Sequence, residues 1–116
     1  MGILKDAFKS IRYVGFFDAA FSDDTKKLQQ YLNKGFNINK QDSNGWTAAM
    51  WASARGNDKT VKLLARAGAD FTLKNKINET AFSYMNFKDK TEIKDIIKQS
   101  KKTLKNKNQT TLNLLN

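Results

Sequence analysis

Residues 42–58 read DSNGWTAAMWASARGND, and residues 75–90, NKINETAFSYMNFKDK, repeat that phrase more faintly 33 positions later. The same spacing pairs Gly35 with Gly68, Gly45 with Asn78, Thr47 with Thr80, Ala48 with Ala81 and Leu28 with Val61. A period of this size is the mark of a stacked array, in which one unit cannot bury its apolar side alone and leans on the next. Asp42-Ser43-Asn44-Gly45 is turn chemistry: Gly45 takes positive φ without penalty, and Asn78 is the next-best residue for that conformation. Thr47 then predicts an N-cap for a short helix Ala48–Ala54 that Gly56-Asn57 ends. Asp58 predicts the cap of a second helix with Val61, Leu64 and Ala65 on its apolar face, Lys59, Lys62 and Arg66 on its wet face, and Gly68 as its left-handed stop.

The flanking units follow the same plan. Phe16–Phe21 and Thr25–Lys34 predict a first helix pair, with Leu28, Tyr31 and Leu32 facing inward. Thr80–Phe87 and Thr91–Gln99 predict a third, with Ile93, Ile96 and Ile97 as its stripe and one residue fewer in the loop. The middle unit resembles an ankyrin repeat: Asp42, Gly45, Thr47, Ala52, Gly56, Val61, Leu64 and Gly68-Ala69-Asp70 match that family's pattern. Ala48, Ala49 and Met50 depart from its Pro-Leu-His. Asn57 replaces its usual His, so the side-chain bonds that His makes between neighbouring turns are expected to be missing or replaced.

The resemblance implies an all-α fold, an ankyrin-like solenoid of stacked helix-turn-helix repeats closed by N-terminal and C-terminal capping helices. The expected organisation is a repeat domain at 1–99, with a capping helix at 1–15 and repeats at 16–41, 42–74 and 75–99, followed by a basic tail at 100–116. In the amino-terminal helix, Ile3, Leu4, Ala7, Phe8, Ile11, Val14 and Gly15 trace one face, read as covering the end of the stack, with a membrane surface as the alternative.

Composition narrows the chemistry. The 116-residue chain has no Cys and no His, so thiolate or imidazole metal sites, cysteine nucleophiles and histidine bases are excluded. No glycine-rich phosphate loop occurs, and Ser and Thr have no base to activate them. The expectation is a non-enzymatic protein with no catalytic residues, no metal and no cofactor. Charged residues interrupt the amino-terminal stretch and no long apolar run occurs, which predicts a cytoplasmic protein without a transmembrane segment. The net charge is +10, and the five lysines Lys98, Lys101, Lys102, Lys105 and Lys107 follow the last acid, Asp95, so half the excess lies near the end.

Buried packing is the reading for Met50 and Trp51. Trp46, next to the turn glycine, is read as a contact anchor, against a ring lying across the neighbouring turn. The family's variable concave positions carry over to Phe21, Ser22, Gln41, Ser43, Asn44, Trp46, Ala54, Arg55, Lys74, Lys76, Ile77, Glu79, Phe87 and Lys88. Among these Arg55, Lys74, Lys76 and Lys88 outnumber Glu79, so the expected partner is a protein with an acidic surface, bound by an inhibitor, immunity factor or adaptor. The alternatives are electrostatic binding of nucleic acid by the lysine-rich tail and peripheral membrane contact by the first helix.

Overall fold

A computed structural model describes residues 2–115, with side chains for residues 11–105. Five helices make the fold: α1 (Gly2–Phe21), α2 (Thr25–Asn33), α3 (Ala48–Ala54), α4 (Asp58–Arg66) and α5 (Phe87–Leu115), with a 3₁₀ turn at Ala81–Tyr84 between the last two. Among the described residues there is no strand. The helices form antiparallel pairs stacked side by side, as the repeat requires, and α1, α3 and the 3₁₀ turn pack in series as the inner layer.

The core runs through the stack as one cluster. Phe16, Ala20, Leu28, Met50 and Leu64 are at most 1% exposed, and Val61, Phe71 and Ile93 close around them. Each large side chain contributes about 1.5–3 kcal/mol by leaving water. Small residues at Ala19, Ala48, Ala49 and Ala52 let the inner helices approach closely.

Several expectations are corrected. The cap and the first repeat's inner helix are one helix, α1, because Gly15 does not break it: a Cβ there would lie on the Tyr31 hydroxyl, so the glycine serves close packing. This helix packs through Tyr13, Phe16, Phe17 and Ala20, three and four apart, whereas Ile11 and Val14 of the expected apolar face are 66% and 63% exposed. The side chains of Ile3, Leu4, Ala7 and Phe8 lie outside the described residues. The cap of α4 is Asn57, not Asp58, which occupies the first helical turn.

In the third repeat, the expected helix Thr80–Phe87 is only the single turn Ala81–Tyr84, and the second helix begins at Phe87 instead of Thr91. The reason is local. Met85 is extended (φ −110°, ψ 149°), and the Asn86 side chain accepts the Asp89 N–H at 2.8 Å, so Asn86-x-x-Asp89 starts a helix one turn early. The basic tail at 100–116, which the sequence alone assigns neither to helix nor to disorder, continues α5 to Leu115, while the side chains of Leu112, Leu114 and Leu115 are outside the described ones.

The turns are built twice to the same plan. Asp42 N–H donates to Trp46 C=O and Gly45 N–H to Asp42 C=O, and Asn75, Glu79 and Asn78 repeat both bonds 33 residues later. Thr47 caps α3 by accepting the Met50 N–H at 3.2 Å, as its position predicts. Gly45 (φ +79°) and Asn78 (φ +64°) both adopt the left-handed conformation.

Adjacent turns touch backbone to backbone: Lys76 N–H donates to Asn44 C=O at 3.0 Å, and a Cβ at Gly45 would come within 3.0 Å of Asn75 Cα and 3.1 Å of Lys76 N. Gly68 has φ +89° but open space around it. Gly68→Ala is therefore expected to cost only left-handed strain, about 1–2 kcal/mol. Gly45→Ala adds a collision that rigid backbone cannot relieve, so its melting temperature falls further; equal melting temperatures for the two variants in thermal denaturation would refute this account of the stack.

Candidate protein-docking face

Four aromatic rings form a row across all three repeats. Phe21 ends α1, Trp51 lies in α3, Trp46 follows the turn glycine of the second repeat, and Tyr84 ends the 3₁₀ turn of the third. Ring centroids are 5.8 Å apart for Phe21 and Trp51, 4.5 Å for Trp51 and Trp46, and 4.9 Å for Trp46 and Tyr84. The Arg55 guanidinium lies 4.3 Å from the centre of Phe21 and closes the row with a cation over an aromatic face. Phe21 is 39% exposed, and the other three rings are half-buried, so each keeps part of its surface open to solvent.

Two residues hold the row from beneath. Asp42 Oδ1 accepts the Asn44 and Trp46 N–H groups, both at 2.9 Å, and Oδ2 accepts the Trp51 indole Nε1–H at 2.9 Å. Asn75 stands at the equivalent position: its Oδ1 accepts Ile77 and Glu79 N–H, while its Nδ2 donates to the Tyr84 hydroxyl at 3.1 Å. The pairing reverses polarity as a unit. An indole can only donate and meets a carboxylate; a phenol can accept and meets an amide. Burial first, and then the Glu79 carboxylate beside it, raise the Tyr84 pKa above its ordinary value.

Further contacts lock the repeats in register. Gln41 Nε2 donates to Gly45 C=O and, across the stack, to Lys74 C=O, both at 2.9 Å. Asn57 Nδ2 donates to Ala20 and Phe21 C=O at 2.9 and 2.8 Å, satisfying carbonyls at the end of α1. This amide replaces the inter-turn bonds expected of His. Thr60 adds a hydroxyl donation to Asp23 Oδ1 at 2.7 Å.

Of the residues assigned to the face from sequence, Phe21, Trp46 and Arg55 meet in the row. Ser22, Ser43, Asn44, Ala54, Lys74, Lys76 and Ile77 are exposed, with Ile77 66% exposed at the tip of the last turn. Gln41 is exposed but braces two turns, and Glu79 is half-buried beside Tyr84. Phe87 (84% exposed) and Lys88 sit in the first turn of α5, beside Asp58, Lys62, Asp89, Glu92 and Asp95, because that helix starts early. Sequence reading missed Trp51 and Tyr84 as members of the face. Their 33-residue spacing was the available signal. Met50 is buried as expected, whereas Trp51 is half-buried.

Stacked helix pairs joined through braced turns define a class of repeat scaffold that presents a row of side chains. Among the described residues, no His, Cys, Asp or Glu cluster could hold a metal ion, and no helix is long and apolar enough to cross a membrane. A family model of ankyrin repeats in three copies matches residues 16–86, and the chain belongs to that family.

The chain is 45% identical over 65 residues to the rat ankyrin repeat and SAM domain-containing protein 6, covering 55% of this chain and 7% of the relative. It is 43% identical over 58 residues to the human DNA-binding protein RFXANK, covering 49% of this chain and 22% of the relative. A putative ankyrin repeat protein, L289, of Acanthamoeba polyphaga mimivirus is 47% identical over 58 residues, covering 46% of this chain and 11% of the relative. The chain thus spans less than a quarter of the length of each of these relatives. Ankyrin repeats generally mediate protein–protein interaction.

The polarity swap makes a direct test. Asp42→Asn sets an amide N–H against the Trp51 N–H and is expected to cost about 1–3 kcal/mol. Adding Trp51→Tyr, which recreates the Asn75–Tyr84 pairing, should recover part of that loss. A double-mutant cycle by urea denaturation measures the coupling; additive losses would show that the two side chains act independently.

Proposed function

We propose that this chain is a non-enzymatic docking module that binds a protein partner along the aromatic row, acting as an inhibitor, immunity factor or adaptor. The observation that carries the reading is the row Phe21–Trp51–Trp46–Tyr84, held by Asp42 and Asn75 and capped by Arg55. Trp, Tyr and Arg in well-packed patches are the residue types that dominate binding energy. Because the rings are already fixed against one another, little side-chain freedom is lost on docking. Lys74 and Lys76 at the turns, with Arg55 at the end of α3, favour an acidic surface on the partner.

A second reading rests on α5. Because the helix continues beyond the last repeat, Lys94, Lys98, Lys101, Lys102 and Lys105 recur three and four apart along one face, all exposed. Such a stripe suits a phosphate backbone, and one relative is called a DNA-binding protein.

The first reading predicts that Trp46→Ala with Arg55→Glu weakens capture of a partner from native lysate by about tenfold or more. Retained helical circular dichroism, and a milder loss with the surface variant Lys76→Glu, would show that the face and not the fold was altered; undiminished capture would overturn the reading. For the second, anisotropy with duplex DNA across salt concentrations should give a steep log–log slope that Lys101→Glu with Lys105→Glu flattens by about two units. A slope unchanged by those substitutions removes α5 from the interaction.

A further inference from the structure

The two junctions between repeats are closed differently. At the first, the Asn57 amide donates to the carbonyls of Ala20 and Phe21, at the end of α1. The equivalent carbonyls one repeat later are those of Ser53 and Ala54, at the end of α3. Among the described residues no side chain of the third repeat donates to them. Asn86 is engaged in capping α5 through the Asp89 N–H, and the chain leaves the inner layer after a single 3₁₀ turn.

The missing helical turn leaves a cleft of about 480 Å³ lined by Ser53, Ala54, Asp58, Tyr84, Asn86 and Asp89, among others. Ser53 is only 6% exposed, and its Oγ has no hydrogen-bond partner. A buried hydroxyl is costly to leave unpaired, so this one marks a place where a polar group is wanted.

The charges around the cleft decide which group. Lys62 is paired with Glu92 at 3.1 Å, and the Arg55 guanidinium is turned onto the Phe21 ring. That leaves the Asp58 and Asp89 carboxylates, which among the described residues have no ion-pair partner within 4.0 Å. Two helix amides that could attract an anion are engaged: Asp89 N–H is bonded to the Asn86 side chain, and Thr60 N–H to Asp23. The cleft therefore combines the end of α3, where Ser53 C=O already accepts the Gly56 N–H, with a hydroxyl that can donate or accept and two carboxylates that only accept, while Arg55 and Lys62 of its lining are engaged elsewhere. Asp58, Asp89, Glu92 and Asp95 gather on this side of a chain whose net charge is +10.

We propose that this cleft receives the arginine or lysine side chain of a bound protein segment, whose N–H groups take the place that the Asn57 amide fills one junction earlier. The inference deepens the docking reading and rests on it. It adds a requirement that the basic turn end alone would not suggest: the partner presents a cation toward the helix-loop end of the face.

The probe is N-acetyl-arginine methylamide, titrated into the full chain and followed by ¹H–¹⁵N correlation spectra. Its uncharged isostere, the citrulline derivative, is the comparison. The arginine compound is expected to give saturable shifts at the Ser53, Ala54 and Asn86 amides, with the citrulline compound about tenfold weaker or more, the usual scale for losing a charge-assisted bond. Asp58→Asn with Asp89→Asn should weaken arginine binding to the same degree. Ser53→Ala, which removes an unpartnered hydroxyl, should keep the melting temperature and weaken binding several-fold.

Equal responses to arginine and citrulline, a matching response to the glutamate derivative, or shifts scattered away from the cleft would overturn the proposal. Should the double Asp variant unfold, the wild-type comparison and Ser53→Ala decide it. The titration contains no partner protein, so its failure leaves capture through Trp46 standing. Loss of that reading would in turn leave these shifts to be judged alone.

Discussion

The close approach of one turn to the next is the constraint on which the architecture depends. Lys76 N–H bonds to Asn44 C=O, Gln41 spans to Lys74 C=O, and Gly45 has no side chain because the next backbone occupies that space. With backbones held this closely, equivalent residues of consecutive repeats lie at nearly constant separation. Side chains 33 residues apart must then either stack or collide. Trp51 and Tyr84 show the outcome, both packing against Trp46, with ring centroids at 4.5 and 4.9 Å. The aromatic row is a consequence of the repeat spacing as much as of the residues in it.

Much of this was legible in the sequence. The left-handed positions at Gly45 and Asn78, the Thr47 cap, and the stripes Val61–Leu64–Ala65 and Ile93–Ile96–Ile97 were all readable from local chemistry and periodicity. What failed did so where two local signals competed. At Thr80–Phe87 the repeat argued for a helix like Ala48–Ala54, whereas Asn86 followed by Asp89 argued for a new N-terminus, and the cap won. At Gly15 a residue with poor helix propensity continues a helix because Tyr31 needs the space, a reason invisible without the partner in view. The face was half legible. Phe21, Trp46 and Arg55, named by position as candidates, meet in the row, while the roles of Asp42 and Asn75 depend on which atoms of distant side chains meet.

The junctions show how a repeat array tolerates the loss of a usual residue. Where the family pattern has His, Asn57 supplies an amide that reaches two carbonyls at once, and Thr60 adds a bond to the left-handed Asp23. These bonds satisfy helix-terminal carbonyls that would otherwise depend on water. The third repeat follows another course. Its early helix start engages Asn86 locally, gives up the inner helix's second turn, and exposes the end of α3. One cap thus lengthens α5 and opens a cleft together.

Charge placement follows from the same asymmetry. In the second repeat, the row is anchored by an anion, Asp42, beneath an indole; in the third it is anchored by a neutral amide beneath a phenol. Of the third repeat's acids, Glu79 stays beside Tyr84, while Asp89 stands in the first turn of α5, where the helix N-terminus favours it and where it lines the cleft with Asp58. Basic residues Lys74 and Lys76 remain with the turns. At the other end the carboxylates stand beside Arg55 and Lys62, both of which are engaged, on Phe21 and Glu92, so the shortened third repeat gives a nearly symmetric stack an electrical direction.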